Sequence, residues 1–223
     1  MPRRATVLTT LAVLAVVVYA AMWIGYVANW AWLSAVDTWW LNFFDNLAAG
    51  SSAWVTGWHL FCTVLGPMVF RIVALVVIVV LLVRRRLQPA LFLVISVELS
   101  GLVTEVAKRL ADRPRPATEM VFAYGSSFPS GHALGVMVSV LALLTVFLPM
   151  VGPRWRIPLM MLGAVVVLAI GVGRVALNVH HPSDVVAGWA LGYLYYLLCL
   201  RLVPPVPAVT DEAGTPVAPG TAR

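Results

Sequence analysis

An all-α, polytopic membrane fold, a bundle of six transmembrane helices, is what this sequence predicts, and three observations carry the prediction. The first is composition: 223 residues that are 61% hydrophobic and only 11% charged, with a mean hydropathy of +0.94. Soluble domains carry roughly a quarter charged residues. The second is length, because the chain holds six apolar stretches that each approach the ~20 residues needed to cross a bilayer as a helix. The third is charge placement. Most arginines fall at the ends of apolar stretches, on one side if the six spans alternate.

The first span covers residues 7–28 and follows Met1-Pro2-Arg3-Arg4. It is longer than the 7 to 15 apolar residues of a secretory signal and has no clear cleavage site, so it reads as an anchor that stays. Residues 29–59 contain six of the nine tryptophans and no lysine or arginine, which predicts an interfacial cap at headgroup level with a short helix around 54–65. Further spans follow at 68–83, 89–107, 132–150, 157–176 and 182–203. Pro89, Pro158 and Pro182 are expected near helix starts, and Pro204, Pro205 and Pro207 end the last helix. The remaining Pro-, Ala-, Thr- and Gly-rich tail has little to bury and is expected to be disordered. Three regions result: 1–59, an N-terminal helix and cap; 60–203, a five-helix core; and 204–223, the tail.

Arg3, Arg4, Arg84 to Arg86, Arg154, Arg156 and Arg201 mark the cytoplasmic side, together with both termini. The net charge of +6 is dispersed over these topology signals, so nucleic acid is not an expected partner. Cys62 and Cys199 have no metal-ligand or redox spacing and read as small buried residues.

Lys108, Arg109, Arg113, Arg115 and Arg174 break the positive-inside pattern, and a bound anion would explain the violation. A surface ion-pair network with Glu105, Asp112, Glu119 and Asp184 would explain it equally well from these residues alone. The run from Ser126 to His132 leads into the fourth span, where Ser130 is a natural N-cap and Gly131 allows close backbone approach. The free N–H groups of such a helix start favour phosphate. Arg174 ends the fifth span, while His180 and Asp184 bracket the start of the sixth. A carboxylate four residues from a histidine can accept one ring N–H and leave the other nitrogen nucleophilic. His180 and His132 thus suggest a nucleophile and a general acid.

These residues resemble the type-2 phosphatidic acid phosphatases, membrane lipid phosphatases that share an active site with vanadium haloperoxidases. The family's three motifs appear as Lys108 with Arg115-Pro116, then Pro129-Ser130-Gly131-His132, then Gly173-Arg174 with His180 and Asp184. The resemblance covers about 60–203; the first fifty residues add nothing to it. One position departs, because Gly173 stands where the family usually has serine. By resemblance, His180 attacks phosphorus, Asp184 orients it, and His132 protonates the leaving oxygen. Lys108, Arg115, Ser130, Gly131 and Arg174 hold the phosphoryl oxygens, with no cofactor and no metal.

The spacing selects His180 over His181, and Arg115 over Arg113. Arg109 and Arg113 are expected to meet lipid headgroups or to pair with Asp112 and Glu119, and His59 to belong to the cap. Glu105 and Arg71 are supporting residues: Glu105 reaches Lys108 and Arg109, and Arg71, inside the second span, is a partner for Glu98. A metal-dependent membrane hydrolase using His132, His180 and Asp184, and a transporter with an anion-binding vestibule, are the alternatives from other classes. A site at the outer headgroup level implies a lipid phosphate as substrate, with membrane lipids as its surroundings. Resemblance to bacterial undecaprenyl pyrophosphate phosphatases points to an undecaprenyl or decaprenyl pyrophosphate of cell-wall carrier recycling. Phosphatidylglycerol phosphate and phosphatidic acid are the other candidates.

Overall fold

A computed structural model describes residues 2–205, 209–210 and 216–217. Most of the tail expected to be disordered therefore lies outside the described residues. The elements are α1 (Pro2–Val27), α2 (Ala31–Ala48), α3 (Ser52–Val64), α4 (Pro67–Val83), α5 (Leu87–Leu93), a π-helical turn (Val94–Glu98), α6 (Ser100–Ala111), α7 (Gly131–Phe147), α8 (Pro153–Ala176) and α9 (Pro182–Leu202). Six helical stretches among the described residues are long and apolar enough to cross a membrane: Thr6–Val27, Ser52–Val83, Leu87–Ala111, Gly131–Met150, Pro153–Ala176 and Pro182–Leu202. The all-α, six-span fold class stands.

Several expected details change. Residues 31–48 form an 18-residue helix, α2, whose buried residues Leu33, Asp37, Leu41 and Phe44 recur at helical period. The short helix expected at 54–65 is α3, and the boundary expected between residues 59 and 60 falls inside it. α8 begins at Pro153 rather than beside Pro158, which lies within the helix. Pro153 follows Gly152 and takes the first helical position, where a missing N–H costs nothing. The third span, Leu87–Ala111, passes through the π-helical turn before α6.

Because lipid tails are as apolar as leucine, close backbone approach rather than exclusion of water must hold such helices together. α7 packs against α9, α8 and α4, and α1 packs along α9. At the α7–α9 seam, a Cβ added to Gly188 would lie 2.6 Å from the Ser130 carbonyl oxygen and 2.9 Å from Ala133 Cβ. Gly192, one turn on, meets the Leu134 backbone in the same way. Cys62, Val136, Val140, Val167, Ile170, Leu177 and Val179 form one buried apolar cluster, and a second gathers around Phe92, Leu93 and Val97. Phe128, fully buried, is surrounded by Tyr19, Trp23 and Tyr26 of α1, with ring centroids 5.8 to 6.5 Å away. The first helix therefore braces the segment that leads into α7.

Candidate active site

Ser130, Lys108 and Arg174 reach the site from helix ends, Arg115 from the loop after α6 and His180 from the turn before α9. Ser130 is the N-cap of α7, its hydroxyl accepting from the Ala133 N–H at 3.4 Å, and its own N–H donates to the Asp184 carbonyl at 2.9 Å. That backbone bond joins the start of α7 to the start of α9. Lys108 lies in the last turn of α6, and its ammonium donates to the Ser126 carbonyl. Arg174 lies in the last turn of α8, and the short turn to α9 carries His180 back beside it.

Lys108, Arg115, Gly131, His132, Arg174 and His180 line one cavity of about 330 Å³, together with His59 and Thr63 from α3. The sequence motifs thus converge. Asp184 stands directly behind His180: His180 Nδ1 is 3.6 Å from Asp184 Oδ2, just beyond a hydrogen bond, and His180 is only 2% exposed. Nε2 is left for the cavity. Ser130, fully buried, is occupied in capping and does not line the cavity. Arg115 lines it, yet three of its N–H groups are committed to the carbonyls of Gly125 (2.9 Å), Val179 (2.7 Å) and Tyr124 (2.8 Å). It ties the loop after α6 to the turn before α9 and keeps its two remaining donors free.

Burial pushes His180 down to about 3, with Arg174 and Lys108 adding to it against the pull of Asp184. The imidazole is accordingly neutral, the form that can attack phosphorus. Burial also lowers Arg115 from its ordinary value. Arg174 is 6% exposed and its buried Nε has no hydrogen-bond partner, so a donor stands unmatched at the site.

Sequence reasoning misplaced Arg113. Rather than meeting headgroups or Asp112 and Glu119, it is buried at 7% exposure and donates to Asp184 Oδ1 (2.6 Å), Ser183 Oγ (2.7 Å) and Asp37 Oδ2 (2.8 Å). Burial pulls its proton affinity down, but the two carboxylates outweigh this and the net shift is upward. Asp37 from α2 also accepts from the Ser183 N–H at 3.0 Å and its hydroxyl at 2.6 Å. Asp37 was missed altogether, although a lone carboxylate inside the apolar stripe Leu33, Leu41, Phe44 was a usable signal.

His181 is nearer to Asp184 than His180 is, with Nδ1 3.1 Å and the backbone N–H 2.8 Å from Oδ2. Glu105 pairs with exposed Arg109 at 2.8 Å and not with Lys108. The expected Arg71–Glu98 ion pair is not made: Arg71 bonds to Ser100 Oγ, at 3.5 Å, and Glu98 Oε1 is buried without a partner. Arg71 and Glu105 line a neighbouring cavity of about 540 Å³ instead of the one that His180 lines. Among the described residues, no three His, Cys, Asp or Glu side chains are grouped to hold a metal ion.

Gly173 explains its own departure from serine. A Cβ there would lie 2.6 Å from Cys62 Sγ and 2.8 Å from Trp58 Cε3, so α3 packs where a side chain would stand.

A family model described as the PAP2 superfamily matches residues 89–207. The chain is 32% identical over 129 residues to an undecaprenyl-diphosphatase of Sulfolobus acidocaldarius, covering 55% of this chain and 59% of that protein. It is 30% identical over 118 residues to phosphatidylglycerophosphatase B of Bacillus subtilis, covering 51% and 58%, and 34% identical over 122 residues to a lipid A 1-phosphatase of Rhizobium johnstonii, covering 48% and 45%. The chain thus spans about half the length of these curated relatives. Its fold matches the crystal structure of a transmembrane PAP2-type phosphatidylglycerolphosphate phosphatase from Bacillus subtilis, with a TM-score of 0.68 at 20% identity over 87% of this chain and 94% of that one.

Proposed function

Because the chain belongs to the PAP2 superfamily, we propose that it is a membrane lipid phosphatase that removes a terminal phosphoryl group through a phosphohistidine, without cofactor or metal. One observation carries this: a single cavity holds three histidines, His59, His132 and His180, and three cations, with a buried carboxylate behind His180 alone.

Asp184 orients His180 as the 3.6 Å gap closes and its carboxylate accepts a hydrogen bond from Nδ1–H, and Nε2 attacks the terminal phosphorus. A P–N bond forms as the P–O bond to the leaving group breaks, and the departing oxygen takes the bonding pair and a proton from His132. Water then gives a proton to His132 and attacks the phosphoryl-histidine, which releases phosphate and restores the imidazole. Lys108, Arg115, Arg174 and the Gly131 and His132 backbone N–H groups hold the equatorial oxygens, where transition-state charge collects, while Ser130 acts by capping the helix that presents those N–H groups. A divalent ion would compete with those cations for the same space.

The proposed substrate is a polyprenyl pyrophosphate of the undecaprenyl or decaprenyl type, at the extracytoplasmic face with both termini cytoplasmic. Arg84 to Arg86, Arg154, Arg156 and Arg201 lie at the opposite helix ends from the cavity, which favours that orientation. The test is phosphate release by the purified protein from polyprenyl pyrophosphate, polyprenyl monophosphate, phosphatidylglycerol phosphate and phosphatidic acid, with and without EDTA. Release that survives EDTA and is lost in His180→Ala is expected. No release from any of the four, or full activity in His180→Ala, overturns the reading; release only from a glycerolipid replaces the substrate.

A further inference from the structure

The larger cavity, about 540 Å³, shares Thr63, Lys108, Tyr124, Gly131 and His132 with the catalytic one and runs between α4 and α6. A leaving group expelled from the catalytic cavity has this space to enter. Arg71 is the sole charged residue of α4 and lines that space. Its Nε is buried without a partner, its single hydrogen bond is at the 3.5 Å limit, and its guanidinium lies over Gly101, where no side chain intervenes. Two acidic residues line the cavity: Glu105 is paired with Arg109, and Asp112 stands at the C-cap of α6, about three turns along the helix from Gly101. A guanidinium with most of its five donors unused, at apolar depth, is matched to an anion with two oxygens to offer.

We propose that Arg71 forms a second anion subsite, which takes a phosphoryl group carried by the leaving group. This rests on the phosphatase reading and deepens it: the site is built for substrates with two phosphoryl groups rather than for lipid monophosphates. The second group is either the anhydride neighbour in a lipid pyrophosphate or the diester of a glycerol-bridged lipid such as phosphatidylglycerol phosphate.

The test compares kcat/KM in mixed micelles for polyprenyl pyrophosphate, polyprenyl monophosphate, phosphatidylglycerol phosphate and phosphatidic acid, in wild type, Arg71→Gln and Arg71→Lys. Arg71→Gln is expected to lower the pyrophosphate-to-monophosphate ratio at least tenfold, and Arg71→Lys, which keeps charge without the planar fork, by a smaller factor. A parallel fall in the ratio of phosphatidylglycerol phosphate to phosphatidic acid identifies a subsite that also accepts the diester; no such fall restricts it to the anhydride. Unchanged ratios, or equal losses on all four substrates, overturn the proposal. Thermal shift supplies a readout independent of turnover: inorganic pyrophosphate should stabilise wild type more than phosphate does, and Arg71→Lys should narrow the difference. Equal shifts in wild type overturn the subsite even if the phosphatase reading stands, whereas a wild type inactive on all four lipids overturns that reading instead.

Discussion

Asp37 and Asp184 grip the two ends of one guanidinium, that of Arg113, at 2.8 and 2.6 Å. Through this arginine a carboxylate on α2 sets the position of the carboxylate behind His180, and Asp184 has its Oδ1 fixed while Oδ2 faces the histidines.

Removing one partner from a buried ionic network leaves an uncompensated charge, which typically costs about 3–5 kcal/mol. Asp37→Ala should therefore lower thermal stability sharply. Asp37→Asn, which keeps shape and hydrogen bonding to Ser183, should fold and lose about tenfold in kcat, roughly 1.4 kcal/mol, with a smaller change in KM. Steady-state kinetics on Asp37→Asn decide it, and an unaltered kcat would show that Arg113 holds Asp184 unaided.

The depressed proton affinity of His180 makes stability depend on pH in a defined window. Between the ordinary value of 6.5 and about 3, the unfolded chain binds a proton at this residue and the folded chain does not. Its contribution is intact above 6.5 and is lost as pH falls toward 3, at up to about 1.4 kcal/mol per pH unit. Melting temperature against pH should fall less steeply over that window in His180→Ala than in wild type. Identical slopes would mean that the imidazole is charged in the fold.

His180 and His181 share one carboxylate oxygen, at 3.6 and 3.1 Å, but only His180 lines the catalytic cavity. His180→Ala should lose activity on the order of 10⁴-fold or more, as loss of a nucleophile does. His181→Ala should retain activity within about tenfold, because Asp184 keeps Arg113 and gains freedom to meet His180. Trapping an acid-labile phosphoenzyme in His181→Ala but not in His180→Ala checks the assignment; the reverse pattern would exchange the two roles.

Restoring serine at position 173 should harm the protein rather than help it. The added Cβ overlaps Cys62 Sγ and Trp58, and overpacking of this kind costs about 1–3 kcal/mol. Gly173→Ser should melt lower and work less well, and adding Cys62→Ala should recover part of both. If the single substitution raises kcat without loss of stability, α3 is not what keeps serine out.

What the sequence made legible was whatever is local. Apolar length announced the spans, and the Ser130 cap and the spacing from Arg174 to Asp184 are short-range patterns that survive folding intact. What it hid was long-range: nothing near Asp37 in the chain points to its partner, which lies 76 positions away. Arg113 was misread for the same reason, since Asp112 was close in sequence and Asp184 close only in space. The π-helical turn at 94–98 left no trace in hydropathy, because it is a change in backbone hydrogen-bond spacing and not in composition.

The glycine seam between α7 and α9 leaves no room for a side chain between the two backbones. With Gly188 and Gly192 set against the backbone of α7, and the Ser130 N–H bonded to Asp184, these two helices have no slack in which to slide or part. A covalent tether across α7 and α9 is therefore expected to leave phosphate release by the purified protein unchanged.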